Sequence, residues 1–460
     1  MNINIDTIVI ILYLVGILYI GIKAGRNIKN IEGYSVAGRG FGPWVIFATL
    51  SASFIGGGFS LGNAEKVFIF GIANIVALWG FSLKEILVAK FIAPKIKQFP
   101  KAISVGDIMF KNYGNFGKIT TGIFGFLLCM GILAAQVSAI GYVFNLFLGI
   151  SQTLGALIGC AIVIVYSTLG GMNAVIKTDI IQFIVLGLGL PLALIFGIHH
   201  VGGFDALISN APAGHFSIPA EGKTIVSFIS LFLVFMLGET LVPPYVQRLC
   251  IGKNAKDVEK GTMMAGLFSI PFFAITGLFG LVALSMNPDL DPNLSIPFVV
   301  NECMPVFLKG IVIAGIISIA MSSADSFLNS ASVAIVHDVI KPIKKRALSA
   351  KKELFAAKVT TAVCGAGAVF LALTFKSVLG LLLLAYDFWA PIILVPLFLT
   401  IIGKKFSKES FIAGAIIGLT VTILWNQVLK QPLGINALPF GVLSNMVAMI
   451  ICEKTLKMKK

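Results

Sequence analysis

Charge is what this chain has least of. Only 12% of its 460 residues are charged, against about 25% in a typical soluble domain. So few charges cannot cover the surface of a water-soluble body of this length, which excludes a soluble enzyme and a disordered chain. Cysteine is sparse as well. Cys129, Cys160, Cys250, Cys303, Cys364 and Cys452 form no C-x-x-C pair and mostly sit in apolar runs, which excludes a disulfide scaffold and reads as buried thiols. The four histidines include the adjacent pair His199-His200 but no H-x-x-x-H and no carboxylate at metal spacing. That pair marks the end of a span rather than a metal site. The sequence has no G-x-x-x-x-G-K-[ST] loop, no soluble domain and no nucleophile–base pair, so it is expected neither to bind ATP nor to be an enzyme.

What is there is apolar: 57% of the residues, with 48 glycines and 37 phenylalanines and a mean hydropathy of +0.98. This composition predicts an all-α polytopic membrane protein. The net charge of +15 comes from short basic runs between apolar segments, such as Lys341-Pro342-Ile343-Lys344-Lys345-Arg346 and Lys454 to Lys460. Spacing of that kind sets membrane orientation and does not bind nucleic acid. Apolar windows of about 20 residues fit thirteen times, at 7–22, 42–69, 73–93, 119–148, 153–170, 178–198, 223–249, 262–286, 306–336, 357–374, 378–402, 410–428 and 435–452.

The first span is not a signal peptide, because its leader contains Asp6 and no basic residue, whereas Lys23, Arg26 and Lys29 follow it. The N-terminus is therefore expected outside and the C-terminus in the cytoplasm of a cell that carries this chain in its plasma (inner) membrane. With span-edge residues counted in their adjoining loops, the inside loops hold 28 of the 35 Lys and Arg. The outside loops hold four (Lys223, Lys309, Lys376 and Lys430), and Lys66, Lys84 and Lys90 lie within spans. One span more or fewer would put every later loop on the wrong side.

Two spans are interrupted. The second carries Gly56-Gly57-Gly58, each glycine costing a helix about 1 kcal/mol against alanine. The seventh carries Gly238-Glu239-Thr240-Leu241-Val242-Pro243-Pro244, where prolines remove helical donors. Interruptions at corresponding places of two halves point to an inverted-repeat secondary transporter; close helix packing through small residues is the competing reading. The ninth span holds Met321-Ser322-Ser323-Ala324-Asp325-Ser326, then Asn329, Ser330 and Ser332. Serines in membrane helices commonly bond back to their own carbonyls, but this density exceeds that need. Two hydroxyls plus carbonyls freed by a broken helix supply about five neutral oxygens, which suits sodium better than calcium or magnesium.

Four segments carry a family resemblance: Gly38-Arg39-Gly40-Phe41-Gly42-Pro43-Trp44; Tyr166 to Gly171 with Ala174, Val175, Thr178, Asp179 and Gln182; Met321 to Ser326 with His337-Asp338; and Tyr245-Val246-Gln247-Arg248. In this order they resemble the sodium:solute symporter family over nearly the whole chain. The resemblance implies a single transmembrane transporter domain with a five-plus-five inverted repeat, about 42–198 and 223–402, and peripheral helices at 7–22, 410–428 and 435–452. It implies sodium ligands from the hydroxyls of Ser322 and Ser323 and the carbonyls of Ile319, Ala52 and Ile55, with Asp179 as an acid on the ion's path. Some members carry Asp where this chain has Phe54, so no role at that position carries over from them.

The glycine triplet and the serine run are most similar to the branch that includes choline transporters. A quaternary ammonium needs Trp or Tyr faces. The expected solute site offers Phe54, Phe59, Glu239 and Asp325, with no Trp or Tyr before Tyr245, so amino acids, small carboxylates and vitamins stay open beside choline. Glu65-Lys66 and Lys84-Glu85 are expected to pair between spans two and three. Asp387 reads equally as an outer gate or a packing contact. The expected function is sodium-coupled symport of a small organic solute by alternating access. A proton-coupled or uncoupled carrier on the same fold, or a transporter-like membrane sensor, are the alternatives.

Overall fold

The computed structural model describes residues 4–55, 57–344, 349–374 and 384–458. Gly56, Lys345, Arg346, Lys376, Lys459, Lys460 and residues 378–383 of the eleventh expected span lie outside them. Among the described residues the chain is helical, with one isolated β-bridge between Phe41 and Gly252.

The helices that concern the site are α1 (Ile5–Ala24), α2 (Ile31–Val36), α3 (Pro43–Phe54), α4 (Gly57–Phe70), α5 (Ala73–Phe91), α6 (Val105–Leu148), α7 (Gln152–His200), α8 (Ile225–Leu237), α9 (Pro243–Cys250), α10 (Ala255–Met286) and α11 (Ser295–Cys303). They are followed by α12 (Leu308–Val333), α13 (Ala350–Thr374), α14 (Leu384–Ile401), α15 (Lys408–Ile423) and α16 (Leu438–Met458). Eight described helices are long and apolar enough to cross a membrane, or nine if the bent pair α3–α4 is one span.

Three features account for the gap between that number and the thirteen windows. α7 covers 49 residues, about twice what one bilayer crossing needs. It turns sharply at Gly171 (φ +46°, ψ −146°), between the windows 153–170 and 178–198. A Cβ at Gly171 would run into Tyr34, so only glycine fits that turn. The other two are composition and length: α5 carries Lys84, Glu85 and Lys90, α16 carries Glu453, Lys454 and Lys457, and α8 has only 13 residues.

The interruptions lie where the sequence placed them. α3 and α4 meet at a 52° bend after Ile55. α8 stops at Leu237, and Leu241 takes a left-handed conformation (φ +54°). Pro243 and Pro244 then occupy the first turn of α9, where a missing N–H costs nothing. The prolines thus restart the seventh span rather than distort its middle.

α12 is the hub. Its most apolar stretch is 94% buried, against 33% for α1 and 22% for α15. It packs on α1, α3, α6, α7, α9 and α13, and its N-terminus is capped from a distance. The Asp6 carboxylate accepts from the backbone N–H groups of Phe307 (2.8 Å) and Gly310 (3.0 Å).

Candidate ion and solute site

The serine-rich stretch of α12 faces the end of α3, just before its break. Ser323 Oγ donates to the carbonyl of Ser53 (2.7 Å) and, more weakly, to that of Ile319 one turn back (3.2 Å). Ser322 Oγ donates to Asp179 Oδ1 on α7 (2.5 Å). The other Asp179 oxygen accepts from Thr49 and from Ser53 Oγ (3.2 Å). Three elements therefore converge on hydroxyl, carbonyl and carboxylate oxygens, all buried, and hard oxygen donors of this kind fit a sodium ion.

Of the five expected ligands, Ser322, Ser323 and Ile319 are brought together here on α12. Ala52 and Ile55 flank Ser53 on the opposing segment. The carbonyl in contact with Ser323 is that of Ser53, one residue beyond Ala52. The Ile55 carbonyl accepts the Ser60 hydroxyl (2.7 Å).

Sequence reasoning missed the residue that ties this region together. Arg248 counts by position with an inside loop, yet its side chain is fully buried. Its Nη2 reaches Asp179 Oδ2 (3.0 Å), Ser53 Oγ (2.5 Å) and Ser326 Oγ (2.5 Å). Its Nε reaches the Thr49 carbonyl (3.3 Å) and hydroxyl (3.1 Å). The α9 segment after the prolines turns inward, carrying Arg248 into the bundle. The only sequence signal was its place in the Tyr245-Val246-Gln247-Arg248 motif.

Asp325, expected at the solute site, lies instead against α7. It accepts from Tyr166 Oη (2.7 Å) and Ser326 Oγ (3.0 Å).

The other expected solute residues, Phe54, Phe59 and Glu239, lie in an aromatic region. Phe54, the last residue of α3, packs edge-on against Tyr245 (5.2 Å between ring centres) and Phe327 (6.2 Å). Phe59, beyond the bend, packs on Phe81 (5.4 Å), Phe235 (5.9 Å) and Phe273 (6.3 Å). Glu239 is buried in the break of the seventh span, where Tyr386 Oη donates to it (2.7 Å) and Trp389 Nε1 donates to the neighbouring Thr240 carbonyl (3.2 Å). Helix α14 thus holds that break through two aromatic side chains.

Neither expected cross-span ion pair forms. Lys66 pairs with its own neighbour Glu65 (2.7 Å) and Lys84 with Glu85 (2.6 Å), and neither ammonium pairs with a carboxylate on another helix among the described residues. Asp387 accepts from Asn426 (2.8 Å) and joins α14 to the segment after α15.

A second charged cluster lies beyond the spans, where the first turns of α6 meet the ends of α12 and α13. His337 contacts Asp107 (3.0 Å) and Glu353 (3.0 Å). Asp107, His337 and Asp338 are close enough to share a metal. The Lys118 ammonium stands among them instead, 2.5 Å from Asp107, 3.0 Å from His337 and 3.8 Å from Asp338. Burial alone would lower the His337 pKa, but hydrogen bonds to Asp107 and Glu353 outweigh it and hold the imidazole up to about 9. Burial would likewise raise Asp107, yet His337 and Lys118 keep its carboxyl below the usual range.

Broken spans around a buried, oxygen-rich helix are the architecture of known membrane transporters, and two solved structures share the fold. A Na+-coupled sialic acid symporter in its substrate-bound outward-open state superposes with a TM-score of 0.86 at 20% identity, covering 99% of this chain and 98% of that one. A closed nucleobase-cation-symport-1 family transporter superposes at 0.58 and 15% identity, covering 92% and 95%.

The chain belongs to the sodium:solute symporter family, whose profile matches residues 34–418. Its relatives include the human high affinity choline transporter 1, 26% identical over 90% of this chain and 76% of that protein. The osmoregulated proline transporter OpuE of Bacillus subtilis is 23% identical over 97% and 94%. The high-affinity proline transporter PutP of the same organism is 25% identical over 89% of each chain. The protein is a symporter of the membrane and not an enzyme.

Proposed function

We propose that the protein imports a small organic solute across the plasma membrane by sodium-coupled symport with alternating access. One observation carries this reading: the Ser323 hydroxyl meets an α3 carbonyl immediately before the break, beside the Ser322–Asp179 hydrogen bond. Sodium binds there among Ser322, Ser323 and the carbonyls of Ile319, Ala52 and Ile55, and its charge draws the broken second span against α12. Asp179 lies on the ion's path, shared with Arg248. Solute binds at the two breaks, near Phe54, Phe59 and Glu239, and Asp325 orients the ion side of the site.

The architecture that fits this function is thirteen spans, N-terminus outside and C-terminus inside. Two inverted repeats occupy about 42–198 and 223–402, with peripheral helices at 7–22, 410–428 and 435–452. Each sodium entering down a 100 mV inside-negative potential contributes about 2.3 kcal/mol, enough for roughly fifty-fold accumulation at one-to-one stoichiometry. Sodium must raise solute affinity, and solute must raise sodium affinity by the same factor.

Reconstituted vesicles test this directly. An imposed sodium gradient drives solute uptake and a proton gradient of equal size does not. Uptake that follows the proton gradient overturns the proposal.

A further inference from the structure

The ring of aromatic side chains between the two breaks already contains a cation. Lys84 Nζ lies 3.8 Å from the centre of the Phe81 ring, 4.7 Å from that of Tyr245 and 5.8 Å from that of Phe54. These rings come from α5, from the first turn of α9 after the seventh-span break, and from the last residue of α3 before the second-span break. The ammonium is buried, with Glu85 as its close carboxylate partner. The second oxygen of Glu85 accepts from Tyr245 Oη (2.6 Å). An ammonium has three donors, and Glu85 is the one hydrogen-bond acceptor seen for Lys84 among the described residues. Glu239 follows α8, whose backbone at Phe232 and Met236 lies against Gly80, one turn before Lys84 on α5. One of its oxygens is engaged by Tyr386, and no partner is seen for the other among the described residues.

From this we infer that Lys84 determines specificity and that the solute is a small zwitterion, with its carboxylate on Lys84 and its ammonium on Glu239. The inference deepens the symport proposal and rests on it. A zwitterion adds no net charge to the buried group of Lys84, Glu85 and Glu239. A quaternary ammonium finds its aromatic box filled by the chain's own ammonium. A simple monocarboxylate reaches Lys84 but adds an unbalanced negative charge beside Glu85 and Glu239.

The purified full-length protein is melted in sodium and in potassium with proline, alanine, choline, acetate and glucose, and dissociation constants are measured for each. Proline or alanine is expected to stabilise in sodium, and choline, acetate and glucose are not. Lys84→Gln is expected to weaken amino-acid binding by roughly 10- to 100-fold, the share of one charged hydrogen bond, while sodium alone still stabilises it. Lys84→Arg is expected to retain most of the affinity. Should Lys84→Gln fail to fold with Glu85 left unpaired, the neutral pair Lys84→Gln/Glu85→Gln serves in its place.

Stabilisation by choline, acetate or glucose but by no amino acid overturns the inference. So does amino-acid affinity unchanged in the Lys84 variants, or a wild-type protein that ignores amino acids. Amino-acid stabilisation that is equal in sodium and potassium would leave this inference standing and overturn the sodium coupling alone.

Discussion

Arg248 meets Asp179 at 3.0 Å with both side chains wholly shielded from solvent. A buried pair of this kind stabilises little against an apolar replacement, but removing one partner strands the other charge. Asp179→Asn is therefore expected to cost about 3–5 kcal/mol. The double variant Asp179→Asn/Arg248→Gln should cost clearly less than the sum of the two single changes. Thermal unfolding of the four proteins in detergent gives the cycle, and strict additivity would show that the pair is not coupled.

The two serines of the proposed ion site make different contacts, and their variants should separate. Ser323→Ala removes the hydroxyl that touches the α3 carbonyl; Ser322→Ala removes the one bound to Asp179. Either change is expected to raise the sodium concentration needed for half-maximal uptake by tenfold or more, at about 1.4 kcal/mol per tenfold. The double variant is expected to abolish sodium dependence. Sodium titration of solute uptake is the measurement, and an unchanged double variant would refute the assignment.

His337 gives the protein a pH dependence whose sign is fixed by its neighbours. Its folded-state pKa of about 9 stands above the ordinary 6.5. The cluster's stabilisation is therefore complete below about pH 6.5 and is lost as pH rises through 9, up to roughly 3 kcal/mol at 1.36 kcal/mol per unit. The groups that face it are Asp107, Asp338, Glu353 and Lys118. The melting temperature of the wild type should fall between pH 7 and 9.5, and His337→Gln should flatten that slope.

Asp6 caps α12 from the first helix, so Asp6→Ala should loosen the start of α12 without touching the ion site. Two backbone donors, those of Phe307 and Gly310, lose their acceptor, at a cost of about 1–2 kcal/mol. Hydrogen exchange at residues 307–311 should rise while sodium affinity stays constant.

The parts of the fold that were legible in the sequence are those written in backbone chemistry. The interruption at 238–244 could be read because proline has no N–H and ends a helical ladder wherever it stands. The serine run of α12 could be read because hydroxyls at that density need more partners than their own helix offers. Arg248 could not. Counted along the chain it belongs with the loop that follows, and only the inward turn of α9 brings it against Asp179. The pairing of Lys84 was misjudged for a related reason: periodicity says which helix face a residue occupies, not whether a long side chain folds back on its neighbour. The role of Tyr386 and Trp389 in holding the seventh-span break was invisible too, since it depends on a helix almost 150 residues further along the chain.

The restart of the seventh span at Pro243 has a mechanical consequence. Thr240 N–H bonds back to Leu237 and Val246 N–H to Val242, while Pro243 and Pro244 have no N–H to give. The two half-helices on either side are thus connected by covalent chain and by side-chain straps, not by a shared rail of peptide bonds. Swinging one half against the other is a rotation about a few single bonds near Leu241, and it leaves the helical hydrogen bonds of both halves intact. Tyr386 and Trp389 bridge the joint through Glu239 and the Thr240 carbonyl, so a change in the angle between the halves would have to stretch or break those two bonds.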